Sequence, residues 1–430
     1  MEDNYKIGNR KNSGKYLTAL FILLPILNVY NAGISGLGFG DVLCVPLIIY
    51  SLFFCNKSQN YGIKKTIHAV VLYYFYAVFI SLVNLMINNY SIRDVFVRLL
   101  VYLFYIVVII VFAGKRVINA DYAYKFYLHI SLIISGIVFV QVIMHYLFNE
   151  NVYFLLPFLK YNQSTLADYN TYVANYNAMY QYSFRPTAVF LEPSHLALYI
   201  SPCVFFVLNK NNIQRKDFVY ALLITGAVLF STSGTGYLLV FTVWMVYLFR
   251  IIKKARIPAW MLFAFVIMAV TVVVVIYSSG YFPVLIQRIK SVGDGSDSSI
   301  NVRLLKGFYV FKDLSLFEQI FGIGCGTFTS YISTHPLISG VYGYEYMNSI
   351  CEVMVSTGIL GFLMFAIYFL SLNRYFKKVN YQLMFYLLVL MYLTGSVSFS
   401  WNDCLPIILT VALTDESISS MESCEINENS

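Results

Sequence analysis

Apolar runs of about 15 to 23 residues recur along the whole chain, near the length needed to cross roughly 30 Å of hydrocarbon as a helix, with those near 218–231, 235–250 and 402–414 short. Spans are expected near residues 16–34, 39–55, 66–87, 95–113, 126–148, 188–208, 218–231, 235–250, 259–279, 349–372, 381–400 and 402–414. A soluble domain carries roughly 25% charged residues, whereas this chain carries 12% and is 59% hydrophobic, with 36 Phe and 38 Tyr. Water could not hold so much apolar surface without large exposed patches. The expected fold is therefore an all-α polytopic membrane protein of about 12 transmembrane helices. It forms one domain over residues 1–414, followed by an acidic tail at 415–430.

Charge gives the orientation. Twenty of the 29 Lys and Arg residues precede the first span or follow an even-numbered one, as in Arg10-Lys11, Lys64-Lys65, Lys115-Arg116, Arg215-Lys216, Lys253-Lys254 and Lys377-Lys378. Positive charge stays on the cytoplasmic side, so both termini and the acidic tail are expected there. No small-residue cleavage site precedes the second apolar run, and the first run reads as a retained span. The net charge of +8 is explained by this topology and implies no nucleic-acid partner. Seven Cys without a C-x-x-C spacing suggest neither a disulfide framework nor a metal site.

The other nine cations need a different explanation, and most fall in two long extracytoplasmic loops near 149–187 and 280–348. Long loops inside a compact domain are usually functional. The first is rich in tyrosine, including Tyr176 and Tyr180, which reads either as interfacial anchoring or as a wall for sugar rings. It leads into Phe184-Arg185-Pro186 and then Phe190-Leu191-Glu192-Pro193-Ser194-His195 at the mouth of a span. Arg185 reads as an anion ligand. Glu192 fits a functional group as well as an ion-pair partner that pins the helix end. His195 shares a helical face with it and reads more readily as packing.

The second loop contains Arg288, Arg303 and Lys306 around a flexible Gly293–Ser299 connector. Helical periodicity over Asn301–Asp313 puts Arg303 near a helix start, where backbone N–H groups and a guanidinium fork both suit phosphate. Three arginines in two loops at one face point to a common anion. The glycines of Phe321-Gly322-Ile323-Gly324-Cys325-Gly326-Thr327 follow no strand, so the segment reads as a tight turn packed on the bundle. His335, Glu345, Asn348 and Glu352 follow, and His335 and Glu345 are placed to accept a proton from an attacking hydroxyl.

The order of Arg185-Pro186, Leu191-Glu192-Pro193-Ser194, Ser231-Thr232-Ser233-Gly234, Arg288, Asn301-Val302-Arg303, Gly322–Phe328, and Asn348-Ser349 with Glu352 and Gly358-Ile359-Leu360-Gly361 resembles the O-antigen polymerase and O-antigen ligase superfamily. The resemblance implies a glycosyltransferase of a bacterial plasma (inner) membrane. Such an enzyme moves a glycan from undecaprenyl diphosphate to an acceptor hydroxyl at the outer face, without nucleotide sugar, cofactor or metal. The partners implied are the lipid-linked oligosaccharide, membrane lipid and, as a candidate, a chain-length regulator protein. Arg185, Arg288 and Arg303 match the family's arginines. Ligases of the family carry a histidine where this chain has Met347, which favours the polymerase branch for an O-antigen or capsule glycan. A ligase, or a flippase or secondary transporter of the same lipid-linked sugar, is the alternative.

Overall fold

The computed structural model describes residues 2–33, 37–54, 61–88, 90–115, 117–162, 168–179, 184–210, 213–255, 306–334 and 347–428. The expected span 259–279 lies outside them, as do Arg288, Arg303, His335, Glu345 and Tyr180. The helices in chain order are α1 (Glu2–Leu27), α2 (Phe39–Phe54), α3 (Lys64–Ile87), α4 (Ile92–Gly114), α5 (Ala120–Phe148), α6 (Tyr169–Met179), α7 (Pro193–Leu208), α8 (Arg215–Phe230) and α9 (Gly234–Ala255). They continue with α10 (Lys306–Asp313), α11 (Leu316–Phe321), α12 (Phe328–Thr334), α13 (Ser349–Lys378), α14 (Gln382–Thr394) and α15 (Trp401–Glu428). Among the described residues there is no sheet, only isolated bridges pairing Tyr30 with Tyr161 and Asn31 with Gly38.

Every expected span within the described residues is occupied by a helix. Five of these, α3, α4, α5, α9 and α13, contain stretches long and apolar enough to cross a membrane, and α1, α2, α7, α14 and α15 carry shorter apolar stretches. On α3 the side chains of Leu72, Phe75, Phe79, Leu82 and Met86 are exposed at helical spacing. Such a stripe is tolerable only against lipid. The helix α7 is apolar on all sides and buried along nearly its whole length, packed by α8, α9, α5 and α14.

Several helix ends depart from the apolar pattern. The first helix stops at Leu27 rather than near 34, because the chain turns back toward α2. That turn depends on glycine: a Cβ on Gly40 would lie 2.2 Å from the Leu24 carbonyl oxygen. The helix α14 ends at Thr394, and 395–400 is irregular. The last helix runs on from the apolar stretch through the acidic tail to Glu428. The stretch between 218–231 and 235–250 is a tight turn joining α8 and α9, with Thr232 in a left-handed conformation (φ 50°).

The most consequential irregularity is inside α13, where Gly358 (φ 65°, ψ −172°) interrupts the helix. The break disrupts the backbone ladder beside Val355 and Ser356. Their carbonyls accept from the N–H groups of Ile323 (3.1 Å) and Gly324 (2.8 Å). Polar backbone at membrane depth persists only where protein satisfies it, and the loop after α11 does so. Gly322 and Gly358 make the approach possible: a Cβ on Gly322 would meet the Gly358 nitrogen at 2.6 Å, and the reverse distance is 2.5 Å. On its other side the loop is held by α3. Asn84 donates to the Gly322 carbonyl (3.2 Å), and the Cys325 N–H donates to Ser81 Oγ (2.8 Å). The glycine run is thus a packing device, as its sequence suggests.

Candidate functional site

The first long loop is built on tyrosine. Tyr153 meets Tyr172 and Tyr176 edge to face, with ring centroids 5.7 and 5.3 Å apart, and Tyr161 meets Tyr172 at 5.9 Å. Tyr161, Tyr172 and Tyr176 are buried, and Tyr30 at the end of α1 packs on Tyr161. These rings therefore form the loop's own core instead of an open wall for sugars. Burial, with Tyr169 nearby, pushes the Tyr153 phenol up to about 12. The core fixes the chain around residue 185. The Tyr176 hydroxyl donates to the Arg185 carbonyl, and the Tyr172 and Thr187 hydroxyls share a hydrogen bond of 3.1 Å. Gln141 of α5 accepts from the Ala188 N–H at 2.9 Å and donates to the Val152 carbonyl at 2.9 Å.

From this rigid mount the half-buried Arg185 side chain reaches the α8–α9 turn. Its Nε donates to Thr232 Oγ1 (2.8 Å) and an Nη donates to the Thr232 carbonyl (3.0 Å). The fork is therefore oriented from two directions, as only a planar guanidinium allows. A threonine at positive φ costs of order 1–3 kcal/mol and persists where its surroundings determine it. The cation sits at the start of the 22-residue α9, so the positive helix end and the guanidinium share one place.

Glu192 is the N-cap position of α7, and its Oε2 accepts from the Ser194 hydroxyl at 3.0 Å. Pro193 at the first helical position starts the helix where no N–H is required. Glu192, Ser194 and His195 line a small cleft of about 40 Å³ with Thr235 of α9 and Ser396. His195, exposed, also lines a larger cleft of about 240 Å³ between the end of α1 and the start of α15. The two clefts thus meet at one imidazole.

Asn348 and Glu352 stand on the opposite side of the irregular segment 395–400. Asn348 is buried and caps α13, its Oδ1 accepting from the Cys351 N–H at 2.9 Å. Glu352 pairs with Arg98 of α4, accepts from the Tyr102 hydroxyl at 3.2 Å and from the Ser398 hydroxyl at 2.9 Å. Ser349 Oγ receives the N–H groups of Val397 (2.6 Å) and Ser398 (2.9 Å). Two more buried carboxylates finish the frame. Asp403 accepts from the N–H groups of Phe399 and Ser400 (3.2 and 2.9 Å) and from Tyr392 (2.6 Å). Asp41 Oδ1 accepts from Tyr105 (2.8 Å) and Trp401 (2.9 Å). The segment 394–402 therefore runs from the small cleft, past Glu352, into the larger one.

Glu192 and His195 at the start of α7 share the small cleft with Thr235 of α9, and Arg185 is held at Thr232 just before that helix. Asn348 and Glu352 join them only through the 395–400 segment, and Tyr176 acts through the Arg185 backbone. Lys306 opens α10. Sequence reasoning missed Arg98, Asp41 and Ser398, and it named Thr232 only within the Ser231-Thr232-Ser233-Gly234 motif, not as the partner of Arg185. Arg98 and Asp41 carried a signal, a lone charge within an apolar run; Ser398 carried none.

Fold and site thus define a polytopic membrane protein with a cluster of polar groups at helix starts. A family model described as O-antigen ligase matches residues 219–366, from α8 through the Thr232 turn to the broken α13. That match, over residues 219–366, places this part of the chain in the O-antigen ligase and polymerase superfamily. No curated protein matches it.

Proposed function

We propose that the protein is a polysaccharide polymerase for an O-antigen or capsule glycan. It transfers a glycan from undecaprenyl diphosphate to a sugar hydroxyl of another lipid-linked repeat unit, at the outer face of a bacterial plasma membrane. The observation that carries this reading is the Arg185 guanidinium, held by Thr232 at the start of α9 beside the Glu192–His195 clefts. In transfer from a lipid diphosphate, the anomeric carbon–phosphate oxygen bond breaks and negative charge develops on the leaving diphosphate. A fixed guanidinium at a helix start stabilises that charge without reorganising. Arg288 and Arg303, outside the described residues, are proposed to complete the clamp. His335 and Glu345, expected from the sequence as proton acceptors, lie outside them as well.

A ligase, moving the same glycan to a lipid acceptor, is the second reading, favoured by the family model's description. Met347, buried where ligases place a histidine, speaks for the polymerase. A transporter would use the broken α13 to bind its cargo or coupling ion. The carbonyls at that break are instead taken by loop amides, which supports the enzyme reading.

The test is reconstitution of purified protein with undecaprenyl-diphosphate-linked repeat units from the host, in EDTA and without nucleotide. A product ladder that disappears in Arg185→Ala supports the polymerase. Sugar moved only onto an added lipid A core would favour the ligase. Passage of the lipid-linked unit across vesicles with no new bond formed would overturn both.

A further inference from the structure

The two clefts that meet at His195 differ in chemistry. The smaller one is charged, with Glu192 in its wall and Thr235 three residues beyond the Arg185-bound Thr232. Among the described residues that line the larger one there is no lysine, arginine, aspartate or glutamate. Its polar rim is Asn28, Asn162, Ser400 and Asn402, with His195 at one edge. Amide and hydroxyl side chains donate and accept at once, which matches vicinal sugar hydroxyls, whereas the lining supplies no lysine or arginine to neutralise a phosphate. A volume of about 240 Å³, against about 30 Å³ for each water in the liquid, is of the order of a single pyranose ring.

The cleft is also rigid where a ligand would rest. Trp401 and Tyr105 close its floor, and their indole N–H and hydroxyl are both held by the buried Asp41 (2.9 and 2.8 Å). Asp41 is itself fixed by the Gly38 N–H (3.1 Å), and its own N–H donates to Asn28 Oδ1 (3.1 Å). Asn162 reaches the Asn28 carbonyl at 3.4 Å, so the first long loop forms a wall of the same cleft. Such a prearranged floor with an amide rim is how polar ligands are oriented in apolar surroundings.

We propose that the larger cleft is the subsite for an uncharged terminal sugar of the acceptor, and that His195 takes the proton from its attacking hydroxyl. The assignment rests on the transfer reaction proposed above. In that step the acceptor oxygen forms a bond to the anomeric carbon of the lipid-linked sugar. The bond from that carbon to the diphosphate oxygen breaks, and its electron pair leaves with the diphosphate. The hydroxyl proton passes to the imidazole, which releases it to water after the product moves on. His195 is suited to this because it lines both clefts, one uncharged and one bounded by Glu192 and by Thr235, three residues beyond the Thr232 that holds Arg185. Among the described residues, the titratable and charged groups on the elements that form these clefts include Glu192 on its own helix, Arg185 held at the turn before α9, Tyr105 of α4, Asp41 behind the floor and Asp403 in the first turn of α15.

The experiment separates the subsite from the transfer reaction. The repeat oligosaccharide released from its lipid by mild acid carries no diphosphate and serves as the binding probe in saturation-transfer NMR. Wild type should bind it, and Arg185→Ala should bind it equally while failing to make a ladder. Asn402→Leu and Asn162→Leu, on opposite walls, should each weaken binding at least tenfold while remaining monodisperse and melting with wild type. His195→Gln should keep binding but lower kcat a hundredfold or more, and the decline of kcat on acidification should vanish with it. Binding without any ladder would leave the subsite standing and remove the polymerase. A ladder with no oligosaccharide binding, or undiminished binding in both Asn variants, would overturn the subsite. An unchanged pH profile in His195→Gln would overturn the proton transfer.

Discussion

The contact between Gly358 and Gly322 sets a measurable penalty on any side chain there. Both lie in a backbone region essentially restricted to glycine, Gly358 at φ 65°, ψ −172° and Gly322 at φ 90°, ψ 166°. Gly358→Ala therefore costs about 1–3 kcal/mol in conformation alone. Its new Cβ would stand 2.4 Å from the Ile320 carbonyl oxygen, and backbone cannot yield cheaply there. The loop must withdraw, breaking the hydrogen bonds from Ile323 to Val355 and from Gly324 to Ser356. At about 0.5–1.5 kcal/mol each, the total comes to about 2–6 kcal/mol. Withdrawal also uncovers Cys325, which is 1% exposed and anchored by Ser81. The assay is thiol labelling of native protein in detergent, read residue by residue by mass spectrometry, beside a thermal melt. Gly358→Ala should label Cys325 well before the other buried cysteines, Cys44, Cys203, Cys351 and Cys404. Gly322→Ala should do the same, and the double variant should cost clearly less than the sum, because one displacement relieves both clashes. Strict additivity, or a Gly358→Ala protein that melts and labels like wild type, would refute the reasoning.

The Arg98–Glu352 pair gives a second test: Arg98→Met should destabilise by about 1–3 kcal/mol, less than the 3–5 typical of a fully buried pair because Arg98 is partly exposed. Arg98→Met with Glu352→Leu should recover part of that loss in a melt, whereas a Glu352 whose role is to hold substrate would show no recovery of activity. Arg185→Lys keeps the charge but loses the fork on Thr232, and the ladder rate should fall about 10²-fold, as for removal of an oriented donor. The tyrosine core of the first loop should limit alkaline stability. With the Tyr153 phenol raised from 10.0 to about 12, its contribution is complete below pH 10 and is lost as pH rises through 12. Tyrosinate absorbance should therefore show late titration that advances to ordinary values in a Tyr172→Ala variant, where the ring packing is removed.

What the sequence revealed, and what it did not, follows from where each constraint originates. Bilayer thickness acts on every span locally, so the helices could be placed from apolar length alone. Helix ends answer to distant partners. Thr394 is followed by irregular chain because Ser349, more than forty residues earlier, receives the N–H groups of Val397 and Ser398. Arg185 stood out because the charge pattern sets it apart from the basic clusters expected to be cytoplasmic. Its partner Thr232 stood in the quoted Ser-Thr-Ser-Gly motif, but their pairing depends on the packing of α8 and α9, which lies beyond local sequence. The buried tyrosines read as surface groups because composition cannot tell a loop with its own core from one lying on a membrane. Arg98 was the avoidable omission, a lone guanidinium in an apolar run whose carboxylate partner lies on another helix.

Charged and titratable groups within or beside these helices therefore divide by where they stand. Both oxygens of Glu352, Asp41 and Asp403 are taken by donors from neighbouring helices and loops. Such groups hold elements in register, and replacing one acts first on stability. Glu192, whose Oε2 accepts from Ser194, and His195 stand at cleft walls. The first set braces the 395–402 segment, and that segment supplies the cleft rim at Ser400 and Asn402. Function in this site thus depends on the braces without passing through them. Perturbing Asp41 or Glu352 should reduce binding and rate together in proportion to lost folded protein, and perturbing His195 should reduce rate alone.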